Sequence, residues 1–463
     1  MSIHIPGLNA VEAGAEKFQS PGSKLQRSSN DQAPTPAGTP LGIWPLGFPW
    51  SLQLGTWSFF TAAFLLIAAP ALPASDWPQF RGPLANGTAP GVTLPAQFDA
   101  QSVVWAADLP GRGISSPIIV GDRVFVTASS GAKQDRLHVL CFDLADGSLR
   151  WERQFWATGR TMTHEKISGA TPSPASDGRR VFATFSSNDC FALDLDGNLL
   201  WFRGLGRDYP NAANSLGMSS SLLVVDGTLV AQVENDSESF TAGLDPATGL
   251  NRWKLDRPKK ANWTSPVPVP AGEGRTLVAI QSSRGVVAVE PATGKVAWSY
   301  DEGASTAPST TVSGGRLYVP SNGLTVLEPA VAGQPPKQVW RAAQLRPGTA
   351  SPLVVGDRVF TLNDGGILTC GDAADGTRLW QLRMKGPFSA TPLAAGSLLY
   401  CVNEKGLLQV VDPAKPEGEV VGEYDLGQTV IGTPAIAAGG LFGPSGGERW
   451  RRGEGGGGGE GLP

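Results

Sequence analysis

From residue 77 to residue 442 the chain alternates short apolar, β-branched runs with Gly, Asp and Pro turns. That is the pattern of strands joined in hairpins, and no 3.6-residue period lasts three turns there. The pattern repeats. Units open on a Ser/Thr–Pro step: SSPIIVGDRVFV from Ser115, TSPVPV from Thr264, ASPLVVGDRVFTL from Ala350 and ATPLAAGSLLYCV from Ala390. They close on a tight turn and a tryptophan: LADGSLRW at Trp151, LDGNLLW at Trp201, PATGLNRW at Trp253, PATGKVAW at Trp298 and AADGTRLW at Trp380. Trp105 and Trp340 end looser copies, and Tyr424 stands where an eighth is expected. The mean spacing is about 46 residues, long enough for four short strands, A to D, with D ending at the tryptophan.

One such unit cannot bury both of its faces. Stacked radially, the units predict an all-β fold, an eight-bladed β-propeller. Seven units run from 115–151 to 390–424. The eighth blade is expected to be clasped by both chain ends, with 103–109 as its strand D and 433–442 as strand A and the start of B. Its strand C is missing from the pattern, because the tail 443–463 (GPSGGERWRRGEGGGGGEGLP) carries no strand signal and reads as disordered. The turn glycines are expected to take positive φ, and Trp105, Trp151, Trp201, Trp253, Trp298, Trp340 and Trp380 to dock between blades. Cys141 and Cys370 lie ten residues before a docking tryptophan, where other units carry Ala or Val, and read as small buried sites.

These units resemble the pyrrolo-quinoline quinone (PQQ) repeat, whose docking motif runs A-x-D-x-x-T-G-x-x-x-W. AVEPATGKVAW at 288–298 matches with Glu for Asp, and GLDPATGLNRW at 243–253 and GDAADGTRLW at 371–380 match in part. The opening WPQFRGP at 77–83 is similar to the start of exported bacterial PQQ-like propellers. The resemblance implies a fold shared by quinoprotein dehydrogenases and by non-catalytic propellers such as the outer-membrane assembly factor. The methanol-dehydrogenase type places an adjacent cysteine pair near its cofactor, and this sequence has none.

Composition narrows the function. Lys and Arg total 37 against 41 Asp and Glu, which argues against a nucleic-acid partner. Four cysteines without C-x-x-C or C-x-x-C-H exclude a local c-type haem attachment and the common zinc-finger spacings. Residues 1–56 read as a disordered leader or a start assigned too far upstream. The apolar run within 57–74 reads as a signal peptide or, if 57–73 is retained, a membrane anchor. Either places the propeller outside the cytoplasm, periplasmic or extracellular.

The loops joining one unit to the next are uneven. Those at 152–169 and 202–218 are nearly twice the length of the later ones, so a site is expected over them and the 234–239 loop. They gather Arg160, His164, Asp208, Asn211, Asn214, Glu234 and Asp236 as candidate cofactor-binding residues; no catalytic set and no metal set are assigned. The expected role is a monomeric, non-catalytic platform that binds a protein or polymer on the B–C/D–A loop face, without a cofactor. A PQQ/Ca²⁺ oxidoreductase and a carbohydrate-processing accessory module are the alternatives.

Overall fold

The computed structural model describes residues 76–212, 216–329, 334–443 and the backbone of 449–453. The leader 1–56, the segment 57–74 and Asn214 lie outside the described residues. Among the described residues no helix is long and apolar enough to cross a membrane.

The described strands form eight sheets, seven of four strands and one of five. In chain order they span 118–156, 175–204, 223–256, 267–300, 311–342, 353–383 and 393–425, and the last joins 435–453 to Val103–Asp108. Within each of the first seven, successive strands pair antiparallel from an inner strand A to an outer strand D. The fold is an all-β propeller.

Burial explains the pattern seen in the sequence. Strand B of the third sheet, Thr228–Val233, is buried at every position, because neighbouring sheets cover both faces. Its strand D, Asn251–Asp256, alternates, because one face looks outward. Each strand C–D pairing carries a register shift beside the docking position, and such a bulge re-aims a side chain. The residue opposite five of the tryptophans is small: Cys141 faces Trp151, Ala192 faces Trp201, Gly243 faces Trp253, Ala288 faces Trp298 and Cys370 faces Trp380, whereas Val326 faces Trp340 and Arg452 faces Trp105. All four cysteines are buried and unbridged.

The tryptophans join the sheets. Trp253 donates its Nε1–H to Pro291 O at 2.7 Å, in the next sheet's C–D turn. Its ring lies flat on Gly294, whose φ is +70°; a Cβ there would sit 2.5 Å from the indole. Gly147 meets Trp105, Gly197 meets Trp151, Gly249 meets Trp201, Gly376 meets Trp340 and Gly418 meets Trp380 in the same way. Glycine therefore serves twice, for the left-handed turn and for ring clearance.

Two expectations need correction. Tyr424 is not the eighth docking position. By register that position is Gly422, opposite Val410 beside the bulge. A side chain there would collide with Ala96 O at 1.8 Å, because the N-terminal segment replaces the indole: Tyr400 donates its hydroxyl to Leu94 O at 2.7 Å. The tail also differs from the strandless expectation. Arg449–Gly453 forms a strand between Gly440–Gly443 and Val103–Asp108, supplying the strand C that the pattern lacked.

A cyclic set of hydrogen bonds ties the inner strands together. The backbone N–H of Ser116 donates to Ser173 Oγ at 2.9 Å. Ser173 donates to Ser221, Ser221 to Ser265 and Ser265 to Ser309, at 2.9–3.0 Å. Ser309 donates to Ser351, Ser351 to Thr391 and Thr391 to Thr433, at 3.0–3.1 Å. Ser116 Oγ donates to Thr433 O at 2.6 Å and closes the circle. These are the hydroxyl residues at the start of each strand A, six of them preceding a proline.

The WPQFRGP segment plugs the centre from the A–B turn side. Trp77 pairs with Ile119 through both backbone groups at 2.9 Å. Arg81 reaches the fifth sheet, donating to Thr311 Oγ1 at 2.8 Å and Thr310 O at 2.6 Å. Thr88–Ala89 then pairs in parallel with Ala394 and Ala395 of the seventh sheet. Arg81 is fully buried, and burial pushes its guanidinium down to about 9.

Candidate functional site: the hydroxyl-ringed central cavity

The plug turns the centre into a blind cavity of about 450 Å³ that opens on the D–A loop face. Its neck is the eight-membered Ser/Thr circle just described, and Phe80 of the plug reaches its floor. Ile114, Ile167, Leu216, Trp263 and Ile431 supply apolar wall. In the circle, the hydroxyls of Ser173, Ser221, Ser265, Ser309, Ser351, Thr391 and Thr433 each accept a neighbour's N–H, which leaves the hydroxyl proton to donate.

The two long loops form a canopy over the mouth. His164 donates its backbone N–H to Leu216 O at 3.0 Å, joining the loops. Trp263 donates Nε1–H to Gly217 O at 3.0 Å and is held against them. Lys166 reaches Glu404 of the seventh sheet at 3.0 and 3.2 Å, and Ser389 donates to the same carboxylate at 2.6 Å. Arg112 supports the loop from beneath by donating to Glu165 O and Ile167 O.

The sequence candidates are distributed unevenly around this cavity. His164 lines it. Arg160 lines a separate shallow pocket of about 400 Å³ with Lys133 and Gln134. Asp208 pairs with Arg203 at the surface. Asn211 accepts Glu238 N–H through its backbone oxygen at 3.3 Å, and Asp236 caps Ala261 N–H at 3.2 Å. Glu234 is fully buried: it accepts Arg257 Nε–H at 2.7 Å, Asn262 at 2.9 Å and Gln232 at 3.1 Å. Burial raises its carboxyl above the ordinary value, with Arg257 opposing that shift. Reading the sequence missed Glu404, which stands in no local motif, took Phe80 only as part of the WPQFRGP opening, and took the Ser/Thr–Pro steps only as strand openings.

The chain can now be placed among known proteins. A family model described as outer membrane protein assembly factor BamB, a PQQ-like repeat model, matches residues 96–243, 237–334 and 330–425. The chain belongs to this family. Among curated proteins, a polyvinylalcohol dehydrogenase of Sphingopyxis sp. is 26% identical over 237 residues, 42% of this chain and 34% of that protein. A polyvinylalcohol dehydrogenase of Pseudomonas sp. is 25% identical over 252 residues, 45% of this chain and 37% of that protein. The chain thus spans about a third of the length of these relatives. In fold it is similar to BamB from Moraxella catarrhalis (TM-score 0.55, 15% identity, 76% of this chain and 97% of that one). It is also similar to the quinohemoprotein alcohol dehydrogenase from Comamonas testosteroni (TM-score 0.61, 14% identity, 82% and 80%).

The described residues do not fit a calcium-held quinone. The cavity lining contains no carboxylate. Glu234, the buried acid among the candidates, is committed to Arg257, Asn262 and Gln232. Among the described residues no group of three His, Cys, Asp or Glu side chains is placed to hold a metal ion.

Proposed function

We propose that this chain is an exported, monomeric, eight-bladed PQQ-like propeller that acts as a binding platform. Its ligand is a hydroxylated polymer whose segment enters the central cavity from the loop face. The cavity carries this reading: hydroxyl donors ring its neck while Trp263, Ile114, Ile167 and Ile431 offer apolar wall. A chain that alternates C–H backbone and hydroxyl groups matches both. The similarity to polyvinylalcohol dehydrogenases supports the same ligand class. The described parts of the two long loops, 152–169, 202–212 and 216–218, would border the bound segment, and Arg160, Asp208, Asn211 and Asp236 would face the remainder of the polymer.

Titration calorimetry with polyvinyl alcohol oligomers tests the reading. Binding heat is expected, and Trp263→Ala and Ser309→Val should each weaken affinity about tenfold or more, the loss of one good contact at 1.4 kcal/mol per decade. Absence of heat, or wild-type affinity in both variants, would overturn it. A parallel titration with PQQ and Ca²⁺ addresses the oxidoreductase reading that the dehydrogenase relatives favour. Retained quinone absorbance would support that reading and displace ours.

A further inference from the structure

The first sheet holds a second constellation, away from the central cavity. Strand B ends at Ser130, strand C carries His138 and strand D carries Glu152. Register puts the three on one face. Ala128 lies opposite His138 and Arg136 opposite Ser130, so Ser130 and His138 are diagonal neighbours. Glu152 lies opposite Leu140, diagonal to His138 on the other side. The side chains meet in sequence. Ser130 Oγ is 2.8 Å from His138 Nε2, and His138 Nδ1 is 2.6 Å from Glu152 Oε1. A carboxylate only accepts, so Nδ1 carries the imidazole proton and Nε2 is free to accept from the Ser130 hydroxyl.

The surroundings distinguish this from an ordinary satisfied histidine. His138 is 2% exposed, so the base is shielded, while Ser130 is part-exposed at the loop-face end of its strand. Gly131 follows with φ +85°, turning the chain away. Gly111 packs over Ser130: a Cβ there would lie 2.7 Å from Ser130 Cβ and 2.3 Å from Ser129 O, so only glycine leaves this approach. Arg136, directly across from Ser130, is exposed and lies over the Trp156 ring at 5.9 Å. Trp156 is 63% exposed, an aromatic platform beside the hydroxyl.

We propose that Ser130, His138 and Glu152 form a hydrolytic centre for small carboxylic esters, a role separate from polymer binding in the cavity. Ser130 Oγ attacks the ester carbonyl and forms the new C–O bond, while His138 Nε2 takes its proton. Arg136 faces the oxygen that gains negative charge, and Trp156 holds the apolar part of the ester. The C–O bond to the alcohol breaks, and His138 returns the proton to the departing alkoxide. Water, deprotonated by His138, then releases the acid from the acyl-serine and restores the hydroxyl. Glu152 is a positioning residue that fixes the imidazole tautomer.

The test uses the purified full chain with a fluorophosphonate probe and p-nitrophenyl acetate. Peptide mass spectrometry should place the probe on Ser130. Ser130→Ala and His138→Gln should each lower kcat/KM roughly 10²–10⁴-fold. Glu152→Ala should lower kcat with little change in KM, and Glu152→Asp should recover part of the loss. Circular dichroism of each variant separates chemistry from unfolding. If a variant fails to fold, labelling of the wild-type protein still decides. No probe on Ser130, or hydrolysis by folded Ser130→Ala at the wild-type rate, would overturn the proposal.

Discussion

Replacing Gly294 with alanine should destabilise the propeller more while Trp253 is present than after it is removed. The residue sits at φ +70°, where an L side chain costs about 1–2 kcal/mol. Its new Cβ would also stand 2.5 Å from the Trp253 ring, forcing the indole outward at a further cost of about 1–3 kcal/mol. Trp253→Ala alone removes an indole that is 8% exposed and its 2.7 Å bond to Pro291 O, at about 3–5 kcal/mol. In the double variant the collision is gone, and Gly294→Ala should then cost only its backbone strain. The coupling is therefore roughly 1–3 kcal/mol, measurable by urea denaturation followed by far-UV circular dichroism. If Gly294→Ala costs the same in both backgrounds, the glycine serves the turn alone and the ring-clearance argument is wrong.

Glu234→Gln strands the buried Arg257 guanidinium and should cost about 3–5 kcal/mol, whereas Glu234→Gln with Arg257→Met should recover much of it; equal midpoints for the two would refute this. Burial pushes the thiols of Cys141, Cys190, Cys370 and Cys401 up to about 12, so DTNB at pH 8 should find no reactive thiol in the native protein and all four in denaturant. The carboxyls of Asp143 and Asp245 are held below the ordinary 3.8, the first chiefly by Arg150 and the second chiefly by Arg252. Their stabilising contribution is present above 3.8 and is lost as pH falls through the lowered folded values. Asp245→Asn should therefore flatten the acid limb of the thermal midpoint.

How much of this was legible in the sequence depends on the distance over which each feature is encoded. The all-β class and the repeat are local: a β-branched run, a Gly turn and a Trp recur within a few dozen residues. The small partner opposite an indole was legible at Cys141 and Cys370, because ten residues is the path around that hairpin. Gly422 was not legible, because the reason for a glycine there is Ala96 O, more than 300 residues away. The hydroxyl circle was hidden for a different reason. A Ser/Thr before proline reads equally well as a strand opening, and only ring closure shows that each hydroxyl meets the next sheet. Ser130, His138 and Glu152 match no motif, because their meeting depends on the register of three strands. Glu234 was visible as an acid in a loop, but its commitment to Arg257 depends on burial, which the sequence does not display.

The two-ended closure of the last sheet sets a timetable for synthesis. Val103–Asp108 is made early, yet its partner Arg449–Gly453 follows roughly 340 residues later. At about 5–20 residues per second the ribosome delivers that partner some 17–70 seconds afterwards. Throughout this interval the early strand has an open backbone edge and an undocked neighbour, a template for joining a second nascent chain. Release of a chain lacking residues 449–453 would make the interval permanent. The vulnerability of this molecule therefore lies in the wait for residues 449–453 more than in any single blade.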